Sequence, residues 1–132
     1  MTHAHLELVL PAARSSIPAI RHAVADAAVE LHAEAAAVDA VKLAVTEAVT
    51  NVVLHAYGEE GGVVRVAVEP GGCTLAVSVT DDGGGVGASP DREGGYGLAL
   101  MQALSRSCDV TTGDNGTSVR MVFSLAGGQT RP

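Results

Sequence analysis

Two consecutive runs of alternating β-branched residues, VVRVAVE (63–69) and TLAVSVT (74–80), constrain this chain more than any other feature. Val and Thr at every second position suit a pleated surface with one buried face, and Pro70-Gly71-Gly72 between the runs supplies a turn. The pair predicts a β-hairpin, which excludes an all-helical fold. HLELVL (5–10) alternates in the same way and predicts a first strand ending at Pro11. Between them the period changes. Ser15 or Ser16 offers an N-cap and Pro18 lies in the first turn of a helix predicted to reach about Glu34, with Ile17, Ile20, Val24, Ala27, Ala28 and Leu31 on its apolar face. A second helix is predicted from about Asp39 to Tyr57, stopping at Gly58.

Beyond the hairpin, the glycine-rich stretch Asp81–Gly97 predicts a loop, and GLALMQALS (97–105) a third helix. Cys108–Thr112 and Thr117–Leu125 predict two closing strands around Gly113-Asp114-Asn115-Gly116. The order β-α-α-β-β-loop-α-β-β predicts an α+β fold, a two-layer sandwich with helices on one face of a mostly antiparallel sheet. One domain is expected over 1–126, with a disordered tail at 127–132.

Composition limits what such a domain does. In 132 residues, 47% are apolar but only 2% aromatic, so the core must be built from Val, Leu and Ala, and base-stacking platforms are excluded. The net charge of −7 shows no cationic cluster for a phosphate backbone, so any influence on a gene is expected to run through another protein. Cys73 and Cys108 have neither metal-ligand nor disulfide spacing and are expected to be core thiols in a reducing compartment. No signal peptide or membrane span is legible, which predicts a cytoplasmic protein.

Within the second helix, VTEAVTNVVLHAY (45–57) places two polar groups in an apolar run. Val38, Val41, Val45, Ala48, Val49, Val52 and Ala56 share one face. Glu47 and Asn51 project together from a strip between that face and Leu43 with Leu54, where partial burial is expected. A partly desolvated carboxylate has a partner or a task; a Glu–Asn hydrogen-bonded pair closing over a loop is the structural alternative.

Three glycine-bearing stretches follow. Asp81-x-Gly83-x-Gly85 sets a carboxylate at a strand end beside glycines that let backbone approach a ligand. It is not a dinucleotide fingerprint, because Ser89-Pro90-Asp91 does not open a helix, and a Walker A loop is excluded because the single lysine, Lys42, sits inside a helix. Gly94-Gly95-Tyr96-Gly97-Leu98 does lead into a helix, whose free N–H groups would suit a phosphate. Gly116-Thr117 opens the last strand.

In this order the four stretches resemble the GHKL (Bergerat-fold) ATPase superfamily, and TEAVTN-x-x-x-HAYG together with the small size looks most like its anti-sigma-factor serine/threonine kinases. The resemblance implies that Asn51 holds Mg²⁺ on the ATP phosphates and that Glu47 polarises the attacking hydroxyl. It implies that Asp81 accepts from the adenine amino group beside Gly83 and Gly85. Gly95, Gly97 and Leu98 would flank the triphosphate, and Thr117 would lie near the adenine. The implied cofactors are ATP and Mg²⁺. The implied partners are a sigma factor and the antagonist protein that is phosphorylated, with no nucleic acid or membrane; homodimerisation stays open. The alternative is a module that binds its partner according to the nucleotide held and transfers little phosphate.

Overall fold

The computed structural model describes residues 4–59, 61–83 and 96–127. Five strands form one sheet: β1 (Leu6–Pro11), β2 (Val63–Gly71), β3 (Thr74–Asp81), β4 (Ser107–Gly113) and β5 (Gly116–Ser124). Their order is β1-β2-β3-β5-β4 and every neighbouring pair is antiparallel. Three helices, α1 (Ser16–Glu30), α2 (Ala35–Asn51) and α3 (Tyr96–Leu104), complete the predicted α+β architecture.

The period-2 pattern decides which side of the sheet they cover. Val64, Val66 and Val68 of β2 are buried, and register sets them opposite Asp81, Val79 and Val77 of β3. Leu75 and Val77 in turn oppose Phe123 and Met121 of β5. Arg65, Glu7 and Arg120 occupy the alternate positions and are exposed. On the helical side, Ile20, Val24 and Ala28 of α1 and Val41, Ala44, Val45 and Val49 of α2 are sealed into the same core. Among the described residues Leu75 is the one leucine this deeply buried; Met101, Met121 and Phe123 supply the bulk that leucine was expected to give. Alanines on α2 let the helices approach closely, so few large side chains are needed.

Both helix boundaries between α1 and α2 differ from expectation. α1 stops at Glu30 because His32 takes a left-handed conformation (φ 69°). Ala33 N–H then reaches the Ala28 carbonyl (3.0 Å) and His32 N–H the Val29 carbonyl (2.9 Å), the six-to-one and five-to-two bonds of a Schellman stop. Histidine there replaces the glycine that marks most such stops. α2 begins at Ala35, four residues early, with no polar cap to announce it, since Glu34 caps only through its backbone. At its far end α2 widens into a π-helical turn over Val52–Ala56 instead of continuing as α-helix to Tyr57.

The thiols also depart from the sequence reading. Cys73 is exposed in the β2–β3 turn, while Cys108 is half-buried on β4, where burial pushes its pKa up. Most of the glycine-rich loop (84–95) and the predicted tail residues 128–132 lie outside the described residues. Among the described residues, no helix is long and apolar enough to cross a membrane.

Candidate functional site

Asp81 continues the inward row Leu75, Val77, Val79 of β3, so its side chain enters the helix-facing side of the sheet and is 6% exposed. Its Oδ1 accepts the backbone N–H of Gly83 (3.0 Å) and that of Thr117 (3.3 Å), its cross-strand partner on β5. Burial raises the Asp81 pKa; the two N–H bonds oppose that shift and Asp82 adds to it. Among the described residues nothing bonds to the second oxygen, Oδ2. A buried carboxylate with one oxygen committed to the backbone retains one acceptor for a ligand's N–H donor.

Glycines shape the ground around it. A methyl on Gly83 would lie 1.9 Å from the Ala56 carbonyl oxygen, so the backbone after Asp81 rests directly against the π-helical turn. A methyl on Gly116, at φ 129°, would lie 1.9 Å from the Asp81 carbonyl oxygen. Gly116 is therefore needed both for its conformation and for the close passage of β5 past Asp81.

The second cluster lies where α2 meets α3. Gly97 is buried in the first turn of α3, and a methyl there would lie 3.2 Å from Asn51 Nδ2 and 3.4 Å from Glu47 Oε1. Glu47 is half-buried as expected, but Asn51 is exposed, not partly buried. Its amide lies beside Gly97 at the start of α3, the positive end of a helix, where an anion is favoured. Leu98 follows, half-buried against the core. Gly85 and Gly95 lie outside the described residues.

The helix end and strand end are tied together. Tyr57, directly after the π-helical turn, accepts the Asp82 N–H at its hydroxyl (2.8 Å) and donates to the Val63 carbonyl (2.6 Å). Asp82 also pairs with Arg65 across the β2–β3 ladder. The sequence reading missed Tyr57; it named Gly116 as the opening of the last strand, and the β3–β5 register adds why glycine is required there, since β5 passes so close to Asp81. Tyr57 carried a partial signal, an aromatic with a polar tip in a chain almost devoid of aromatics.

The profile of the histidine kinase-like ATPase domain matches residues 10–123 of this chain. The chain belongs to the histidine kinase-like ATPase family. ATP is thus the nucleotide the domain holds. Relatives agree in kind: the Anti-sigma F factor of Pasteuria penetrans is 38% identical over 100 residues, covering 64% of this chain and 67% of the relative. That of Clostridium acetobutylicum is 30% identical over 115 residues, covering 78% and 80%. The fold is that of a crystal structure of the RsbU and RsbW domains of a Mycobacterium tuberculosis protein, with a TM-score of 0.75 at 24% identity. This similarity covers 90% of the present chain and 32% of that one.

Proposed function

We propose that this ATPase-family domain is an anti-sigma factor with serine/threonine kinase activity, phosphorylating an antagonist protein and sequestering a sigma factor according to the nucleotide held. The observation that carries the reading is the buried Asp81 carboxylate, whose Oδ1 is spent on two backbone N–H groups and whose Oδ2, without a partner among the described residues, would accept from an adenine amino group. Gly83 and Thr117 supply those N–H groups, so they hold the acceptor in place and need not touch the base. The Anti-sigma F factor names of the relatives supply the partner class.

At the other end Gly97, Leu98 and the start of α3 would receive the triphosphate, joined by Gly95, while Gly85 would help to shape the adenine pocket beside Asp81 and Gly83. Mg²⁺ keeps several waters and takes few protein ligands, so the single exposed amide of Asn51 beside an anion site fits it. When bound, the metal would neutralise phosphate charge. Glu47, next to Asn51 across Gly97, would orient the hydroxyl of the antagonist and take up its proton.

A sigma factor and an antagonist of this class should be recovered by the tagged chain in a nucleotide-dependent manner, and γ-labelled ATP should label the antagonist on serine or threonine. Recovery of both partners with no label transferred would leave a nucleotide-controlled binding module. Recovery of neither would overturn the assignment.

A further inference from the structure

We infer that Tyr57 is a positioning residue for adenine recognition, acting through the strand end that carries Asp81. This rests on the ATP-site reading above. The Tyr57 hydroxyl is used on both sides: it donates to the Val63 carbonyl at 2.6 Å and accepts the Asp82 N–H at 2.8 Å. Val63 opens β2, and the residue after it, Val64, is the register partner of Asp81. One hydroxyl therefore bridges the start of β2 and the residue following Asp81, just past the end of the β2–β3 ladder.

The π-helical turn makes this reach possible. A wide turn over Val52–Ala56 sets the Ala56 carbonyl against Gly83 and delivers Tyr57 to Asp82, so α2 grips the two residues after Asp81 at two points. Such turns recur at functional sites because they redirect a helix end by one residue. The same helix carries Glu47 and Asn51, so the grip also relates the phosphate-side residues to the adenine-side carboxylate. Gly62 supports the ring: a methyl there would lie 2.2 Å from Tyr57 Cε1, so the backbone lies against the ring and any side chain at 62 must displace it.

The test compares Mg-ATP with Mg-ITP, in which a carbonyl replaces the adenine amino group, by calorimetric titration of the full chain. Wild type should prefer ATP. Tyr57→Phe keeps the ring and removes the hydroxyl, and should lower ATP affinity about three- to tenfold, the scale of one hydrogen bond. ITP affinity should hold within about twofold, because its carbonyl gains no bond from Asp81. Gly62→Ala, which pushes the ring without altering the hydroxyl, should narrow the ATP preference in the same direction. Arg65→Ala breaks the ion pair to the Asp82 side chain but not the bond to its N–H, and should leave the ATP:ITP ratio at the wild-type value.

A residue that merely stabilised the fold would lower the melting temperature and weaken both nucleotides alike. An unchanged ATP:ITP ratio in Tyr57→Phe overturns the inference while leaving the ATP site standing. Equal wild-type affinity for ATP and ITP overturns the Asp81 reading, and the role of Tyr57 falls with it.

Discussion

At the scale of single residues, the two ends of the site are built on opposite electrostatic principles. Asp81 is a carboxylate in a nearly closed environment whose ionisation costs free energy, and that cost is partly offset by two backbone N–H groups. Burial raises its pKa, so its contribution to folding is full below the unfolded aspartate pKa and is lost as pH rises through the raised folded value. Ionised Asp81 is thus a cost to the free protein at neutral pH. Asp81→Asn keeps an oxygen for the Gly83 and Thr117 N–H groups and removes the charge. Thermal melts of the nucleotide-free variant should show a melting temperature equal to or above wild type at pH 7, with any advantage shrinking as pH falls through the aspartate range. ATP affinity should nonetheless drop about tenfold or more, because an amide N–H₂ then faces the adenine amino group and a charge-assisted bond is gone. A variant that melts lower but binds ATP normally would reverse both halves of this account. Asn51 works in the open instead, where a hydrated cation and phosphates can reach it.

At the scale of elements, the site depends on where helices begin, widen and pack. α3 is set so close to α2 that a methyl at 97 would press on the Asn51 amide at 3.2 Å and come into contact with the Glu47 carboxylate at 3.4 Å. Gly97→Ala improves local helix propensity, so thermal stability should hold or rise, while Mg-ATP affinity should fall several-fold as the added methyl crowds the two side chains. Normal affinity in that variant would separate Gly97 from the phosphate end. The sheet carries the rest. Phe123, fully buried on β5 opposite Leu75, is the largest sealed side chain among the described residues, and Phe123→Ala should cost about 3–5 kcal/mol in urea unfolding. The strands were legible because alternation of Val, Leu and Thr maps directly onto a half-buried sheet, and the same parity, carried two residues past Val79, points Asp81 inward. The helix ends were less legible. His32 stops α1 through a conformation that only a solved backbone exposes, and an alanine-rich start gives α2 no cap to read. The π-helical turn breaks a 3.6-residue pattern that the apolar residues Val52 and Ala56 satisfy equally well as α-helix, so periodicity could not reveal it. Tyr57 went unread for the same reason, since its role depends on that turn.

At the scale of the whole molecule, the fold brings residues from four distant parts of the chain to one side of a valine- and alanine-rich core. Glu47 and Asn51 come from α2, Asp81 and Gly83 from the end of β3, Gly97 from α3, and Gly116 with Thr117 from the opening of β5. The sheet order makes this unavoidable: β3 lies between β2 and β5, so the hairpin end bearing Asp81 meets the start of the last strand. The net charge of −7 favours control through proteins over direct contact with DNA. Under the proposed function, this arrangement transfers a phosphoryl group with Glu47 orienting the hydroxyl. The direct test measures label transfer from γ-labelled ATP to the captured antagonist for wild type, Glu47→Gln and Asn51→Ala, beside Mg-ATP titrations of each. Glu47→Gln should bind ATP nearly as wild type does while transfer falls about 10²-fold or more, the scale of a positioned base. Asn51→Ala should lose Mg-ATP binding and transfer together. Transfer by Glu47→Gln at the wild-type rate would contradict the account.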